Sequence, residues 1–294
     1  MAYTNLKLDR VVDQVSNAFG NSFIGSKALI ASMQKHIIAK GENSVSIPIP
    51  ASLSASKRVS GGAAATATTP APTEAVLTAS TEHTAPIRID RLDAVGTQYS
   101  ISEFQAQSAA DAILGSINDD AWTLVSALTQ YVGEFATVPA IQILNSAWSK
   151  LFENKVPPNS KMAVVLGGAE WQAWKNSLTV NEDGVLGSGV RANGTLNSAY
   201  GFDIFPDQQR PGTSGTDAVN VAFHPYALGV AYRAQIEEVE GTVMAQSTNP
   251  LTGITIFAIK KGYDNANGVG NEIEFTAVAE PKLIYDAWAV QIRG

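Results

Sequence analysis

SEFQAQSAADAILGSINDDAWTLVSALTQYVG, residues Ser102 to Gly133, is the longest uninterrupted helical pattern in the chain. Ser102 followed three residues later by Gln105 fits a capping box, and Glu103 suits the positive end of a helix. Phe104, Ile113, Ile117, Ala121, Leu124, Leu128 and Tyr131 recur at threes and fours, with Asp111, Asn118 and Gln130 between them, and Gly133 is suited to the left-handed turn past a helix end. Five of these, Phe104, Ile113, Ile117, Leu124 and Leu128, are the expected core of the rod. At about 1.5 Å per residue the pattern predicts a rod of roughly 45 Å. A rod of that length organises a flat or elongated domain better than a compact ball.

The 294 residues are enough for one large domain or two ordinary ones, and 45% apolar with 16% charged residues is a globular composition. A formal charge of −7 argues against a protein whose main task is wrapping nucleic acid, which needs a basic stripe. A container wall, by contrast, gains from not adhering to a polyanionic cargo. There are no cysteines, so disulfides, thiolate nucleophiles and cysteine metal sites are excluded. The first thirty residues lack the apolar core of a signal peptide, and no run approaches the roughly 20 apolar residues of a membrane span, so a soluble intracellular product is expected.

Outward from the rod, Leu8, Val11, Val12, Val15 and Phe19 mark a short amphipathic helix. Ser26 is placed to cap a second one that carries Leu29, Ile30, Met33, Ile37 and Ile38 and ends at Gly41. Ser44 to Ile49 alternates as a strand. Ala51 to Thr81 then consists almost wholly of Ala, Ser, Thr, Gly and Pro, with only Lys57, Arg58 and Glu74 charged. That is too long for an ordinary connection, so it is either a flexible linker or an arm. Strand-forming residues resume at Val76, Leu77 and Thr78, and Pro86 to Asp90 reads as a strand able to pair with Ser44 to Ile49. The expectation is a two-stranded arm that buries too little of itself to be stable without a neighbouring subunit.

Beyond the rod, Pro139 opens a helix carrying Ile141, Ile143, Leu144, Ala147, Trp148, Leu151 and Phe152. Met162 to Leu166 is a continuous apolar run that fits a strand buried on both faces, and Glu170 to Leu178 reads as a helix with Trp171 and Trp174. Loops follow at 183–194 and 210–217, and strands at 202–205 and 218–223. Two closing strands, Ile254 to Lys260 and Glu272 to Ala279, flank a turn containing Asn267-Gly268, longer than the two-residue type. A last strand runs from Trp288 to Ile292. Helix and strand mix without a sustained βαβ repeat, which makes the class α+β.

Catalytic signatures do not emerge. His36, His83 and His224 lack ligand spacing, and His224-Pro225 after a strand suits a turn histidine better than a base. Gly187, Gly189 and Gly194 do not match the dinucleotide fingerprint, and there is neither a phosphate-binding GxxxxGK loop nor a GxSxG elbow. Asp119-Asp120 in the rod reads as a solvated helical face. Trp148, Trp171 and Trp174 fall at helical spacing and read as core anchors. No enzyme activity, cofactor or metal is expected.

The order of N-terminal arm, long two-stranded insert, rod helix, αβ unit and closing strands resembles the major capsid protein of tailed bacteriophages with the Hong Kong ninety-seven fold. Gly41-Glu-Asn-Ser-Val-Ser-Ile-Pro48 is similar to the start of that family's extended loop, and Ala85 to Asp93 to its return. Tyr200-Gly-Phe-Asp-Ile-Phe205 followed by Ala222-Phe-His-Pro-Tyr-Ala227 resembles its axial strand-loop-strand. Lys261-Gly-Tyr-Asp264 and Trp288-Ala-Val290 resemble its terminal strands. The resemblance implies an N-terminal arm at 1–40, an extended loop at 41–90, a peripheral domain at 91–134 and 241–294, and an axial domain at 135–240. It implies arm residues Lys57, Arg58, Val76, Leu77 and Ile87 against neighbouring subunits.

The function so implied is a self-assembling coat of pentamers and hexamers in an icosahedral head, holding double-stranded DNA without sequence-specific binding. Its partners are other copies of itself, with separate scaffolding, portal and cement proteins, in a virion assembled in the host cytoplasm and without a membrane. Some members crosslink a loop lysine to a neighbour's asparagine with a nearby carboxylate; Lys57 lies in that loop, and the asparagine and the carboxylate have no match here. Deleting Ala51 to Thr81 is expected to leave a folded monomer unable to assemble. An encapsulin-type compartment and a soluble enzyme with a low-complexity linker are the alternatives.

Overall fold

The computed structural model describes residues 27–49, 73–89, 101–157, 160–181, 196–234, 243–248, 252–265 and 268–294. The helices are α1 (Ala28–Ser32), α2 (Ile101–Ser126), α3 (Ile143–Glu153) and α4 (Gly168–Asn181), with a 3-10 turn at Asp286–Trp288. The strands are β1 (Gln34–Ile38), β2 (Ser44–Ile49), β3 (Thr73–Thr78), β4 (Glu82–Ile89), β5 (Tyr131–Val132), β6 (Met162–Gly167), β7 (Ser198–Ala199), β8 (Phe202–Asp207), β9 (Val219–Phe223), β10 (Leu228–Arg233), β11 (Val243–Thr248), β12 (Thr255–Asn265), β13 (Gly268–Leu283) and β14 (Ala289–Arg293). The class is α+β, as the sequence indicates.

Two six-stranded sheets carry the body. The first is built on β13, which spans 16 residues. It pairs with β12 along one edge, and with β4 and then β10 along the other; β1 joins β10 in parallel and β11 closes the far side. Side chains alternate across a pleat, so one parity of this sheet, Leu228, Val230, Phe275, Ala277 and Ala279, packs under α2. The opposite parity includes Ala231, which with Ile38 and Ile284 receives Leu77 of β3. The second sheet runs β5-β14-β9-β6-β8-β7. Its strand β6 is buried throughout, with Ala163 and Val165 turned to the α2 side and Met162, Val164 and Leu166 to α3 and α4. The apolar run at 162–166 is thus the doubly covered strand its composition predicts.

The rod is shorter at its C-terminal end than its periodicity implies. The helix stops at Ser126, where the N–H groups of Ala127 and Leu128 bond the carbonyls of Leu124 and Val125 and tighten the last turn. Tyr131 and Val132 pair in parallel with Gln291 and Ile292 instead. The side-chain amide of Gln291 donates to the Val125 carbonyl at 3.4 Å, and the Gln291 N–H to the Gln130 carbonyl at 2.8 Å. Carbonyls that a longer helix would satisfy internally therefore find partners in β14. Gly133 does adopt a left-handed φ of 80°, but as the point where the chain passes β14: a Cβ there would lie 2.5 Å from the Arg293 carbonyl oxygen. Ile113, Ile117 and Leu128 are buried and Leu124 is half-buried. Ala110, Leu114, Trp122 and Val125 complete the face. The Phe104 side chain and the Ser102/Gln105 cap lie outside the described side chains.

Three other expectations change. Pro86 to Asp90 does not pair with Ser44 to Ile49: β3 does, with Val45 opposite Leu77 and Ile47 opposite Ala75, while β4 pairs along β13. An eight-residue strand gains more as a full row in the six-stranded sheet than beside a short ribbon. Ile37 and Ile38 leave the helix for β1, because α1 ends after one turn and β10 offers a parallel edge. Ile37 consequently stands 57% exposed. The closing hairpin extends until Asn265 pairs with Gly268, leaving two residues between the strands where a longer loop is expected. The helix expected over Leu8 to Phe19, the Ser26 cap and the 183–194 loop lie outside the described residues.

The two sheets draw on strands that interleave along the chain. β10 belongs with the first sheet although it falls within 135–240, and β5 and β14 belong with the second although they fall within 91–134 and 241–294.

Candidate assembly surface

The ribbon of β2 and β3 is a two-stranded sheet of its own. Residues opposite each other in an antiparallel pair share a face, so Val45, Leu77, Ile47 and Ala75 form one side and Ser46, Val76, Pro48 and Glu74 the other. The first side sits on the body: Leu77 is 0% exposed among Ile38, Ala79, Ala231 and Ile284. The second faces outward, and Val76 is 51% exposed. The five arm residues implied by the resemblance therefore separate. Val76 is turned outward. Leu77 is buried in its own chain and anchors the ribbon. Ile87 is half-buried against the main core. Lys57 and Arg58 lie outside the described residues.

Polar groups fix the root of the ribbon. The Glu280 carboxylate accepts from the Ser80 N–H at 3.1 Å and the Ser80 hydroxyl at 2.9 Å, and lies 3.4 Å from the Thr78 hydroxyl. Lys282 donates to the Thr78 oxygen at 3.2 Å and pairs with Glu280 at 3.4 Å. Arg233 donates Nε–H to the Ala79 carbonyl and an Nη–H to Oδ1 of Asn43, both at 3.2 Å, holding the two ends of the ribbon to β10. Burial pushes the Glu280 carboxyl up, but the bonds from Ser80 and the charge of Lys282 outweigh it and hold it below the usual range.

A second buried joint ties α1 to the body. Its first free N–H groups, on Leu29 and Ile30, donate to Asp207 Oδ2 at 3.1 Å and Asn118 Oδ1 at 3.3 Å. The Asn118 amide in turn donates to Asp207 at 3.2 Å and to Gln209 Oε1 at 3.0 Å. Asn118, which the helical pattern places among the polar positions, is fully buried. Burial raises the Asp207 carboxyl, opposed by the N–H groups of Gln209 and Leu29 and the Asn118 amide. Burial lowers Lys27 to about 8, opposed by Asp207 and Asp119; Lys27 also pairs with Asp111.

The second sheet carries its own exposed aromatics. Phe152 is 54% exposed and stacks on Trp148 at 5.0 Å, over a shallow notch completed by Leu151, Val156, Pro157 and Met162. The helical spacing at 141–152 predicts an inward Phe152; the eleven residues of α3 turn it out. Of the three tryptophans, Trp174 is the full core anchor, its indole N–H donating to the Pro139 carbonyl at 2.6 Å; Trp148 and Trp171 are half-buried. At the β5 edge, the Arg293 guanidinium lies 3.6 Å from the Tyr131 ring centroid and 5.0 Å from that of Phe135.

Chemical machinery is sparse among the described residues. No group of His, Asp and Glu able to hold a metal occurs there, and no helix is long and apolar enough to cross a membrane. Asp119 and Asp120 are exposed. His224 takes a turn role, accepting the Tyr226 N–H on Nδ1 at 3.2 Å, and His83 links β4 to α2 through Ser116 at 2.9 Å. The closest carboxylate and guanidinium pair, Glu170 with Arg210 at 2.6 Å, is buried and used up in packing: Gly167 leaves the room its guanidinium fills.

The fold as a whole is found in solved phage capsid structures. A structure from Mycobacterium phage Che8 superposes with a TM-score of 0.63 at 19% identity, covering 92% of this chain and 89% of that one. The capsid of Cyanophage P-SCSP1u gives 0.66 at 13% identity, with 93% and 89% covered. The chain has the tailed-phage capsid fold. A virus-like particle from Pyrococcus furiosus gives 0.56 at 8% identity, covering 97% and 98%. No protein-family model and no curated protein matches the sequence.

Proposed function

We propose that this capsid-fold chain is a structural coat subunit without enzymatic activity, and that copies of it form the pentamers and hexamers of an icosahedral phage head around double-stranded DNA. The observation that carries this reading is the ribbon: in a chain with the fold of capsid subunits, it is seated by one face and leaves Val76, Ser46 and Pro48 facing outward. A two-stranded ribbon with one bare face gains most of its remaining stability by lying on another molecule. In the assembly, residues 1–40 act as an N-terminal arm, the ribbon within 41–90 lies over an adjacent subunit, and the second sheet with α3 and α4 lines the ring contacts. A net charge of −7 keeps the wall from adhering to the DNA it encloses. Scaffolding, portal and cement proteins are separate partners, and assembly takes place in the host cytoplasm.

Negative-stain microscopy of the full chain tests this, with closed shells or ring-shaped capsomers expected. Deleting Ala51 to Thr81 would remove β3 and its buried Leu77, so the informative deletion spans 51–72 with a short turn in its place. It should leave a folded subunit that forms no shells; closed shells from that variant would overturn the arm assignment. The Pyrococcus furiosus particle favours one second reading, a protein compartment with other contents than a genome. Extraction of purified particles separates the two: nucleic acid supports the phage head, protein cargo the compartment.

A further inference from the structure

We propose that the root of the ribbon is an acid-release joint, in which Glu280 clamps the β3 end from the sheet below while His36 Nε2 lies buried and without a partner beside the ribbon's apolar anchor. The two groups lie on the same face of the first sheet. The register places His36 beside Ala231 and Ala231 beside Glu280, one row across three strands. Ribbon side chains cover that row. A Cβ on Gly229 would sit 3.1 Å from the His36 ring and 3.3 Å from a Leu77 methyl, so the imidazole and the anchor share the space above that glycine.

His36 Nε2 is buried and has no hydrogen-bond partner. The imidazolium form needs an acceptor at each nitrogen, and Nε2 has none here, so a proton added to this ring destabilises the seat. The charged groups around the joint do not offset this. On the ribbon side of the sheet, β10 supplies Arg233 and β13 supplies Glu280 and Lys282. Lys40 and Glu42 lie before β2, Glu74 is on the outward face of β3, Glu82 of β4 bonds Thr276 at 2.7 Å, and Lys35 of β1 points to the opposite face. The carboxylate in the same row, Glu280, is engaged by Ser80, Thr78 and Lys282.

Burial lowers the affinity of His36 for a proton, so its neutral form favours the seated ribbon. That contribution is present above the ordinary histidine range and is lost as pH falls through it. Glu280, held below the usual carboxylate range, adds a contribution lost at lower pH. Acid thus first charges the seat and then discharges the clamp.

Hydrogen exchange of the full chain, read by mass spectrometry and corrected against the unfolded chain, tests the joint between about pH 7.5 and about pH 4, which spans both ordinary ranges. Peptides 44–49 and 73–78 should exchange several-fold faster by about pH 5, with 162–167 unchanged. His36→Leu should abolish that rise and keep the one near pH 4; if it misfolds, exposing 162–167, His36→Gln gives the same readout. Glu280→Gln should raise ribbon exchange several-fold already at about pH 7.5. A wild-type ribbon indifferent to this range, an unchanged rise in the His36 variant, or an unaltered Glu280→Gln ribbon would each overturn the proposal.

Discussion

Strand β6 and each strand of the β2–β3 ribbon are six-residue pieces of extended chain, and they are stabilised in opposite ways. Every residue of β6 is buried, between the core under α1 and α2 on one side and α3 with α4 on the other, and its end at Gly167 is fixed by Asn220 at 2.9 Å. The ribbon has one covered side, centred on Leu77, and one open side. A doubly covered strand is complete within its own molecule. A singly covered one keeps a face open to water, and that face is what the proposed assembly would use. The contrast separates what folds the chain from the face it leaves open.

The sharpest way to break the comparison is at the second sheet. Glu170→Ala strands the Arg210 guanidinium without its buried carboxylate and should cost about 3–5 kcal/mol of stability in chemical denaturation. Leu166→Ala opens a cavity between β6 and the helices and should cost about 2–5 kcal/mol by the same measurement. Leu77→Ala removes the same atoms from the ribbon's seat. Since the ribbon can peel away without unfolding the sheets, global stability should fall at or below the lower end of that range, while exchange at 44–49 and 73–78 rises. Val76→Ser, one residue away and outward, should change subunit stability by no more than about 0.5 kcal/mol yet reduce shell yield seen by microscopy. If Val76→Ser destabilises the isolated subunit as much as Leu77→Ala, the open face is packed within the chain and the comparison collapses. The smallest effect is in pH: below the carboxylate range the Glu280 clamp loses its charge, and ribbon exchange should rise while β6 stays protected.

Much of the fold is legible in residue order. The apolar run at 162–166 can be satisfied only by cover on both faces, and the alternation at 44–49 requires one wet face; both appear as read. The rod's middle is likewise set by Ile113, Ile117 and Ala121. Its end is not, because the helical period continues through Leu128 to Tyr131 while β14, 160 residues downstream, takes residues 131–132 into a sheet. The candidate surface is legible in location but not in orientation. Val76 and Leu77 are both apolar neighbours, and only the register of β3 with β2 and its seat on the first sheet decide which of them faces out. Asn118 sits among polar positions by sequence yet is a buried cap for α1, since its partner Asp207 comes from β8.

The sequence by itself determined the α+β class, the long helix, the doubly buried strand and the small-residue insert, because hydrophobic period and turn chemistry are local properties of the chain. Only the tertiary structure decided which strand pairs with which: β3 rather than β4 beside β2, β4 along β13, and β5 in place of the helix's last turn. Pairing is chosen by competition among edges distant in sequence, and a strand joins whichever available edge buries most of it and satisfies most of its backbone hydrogen bonds.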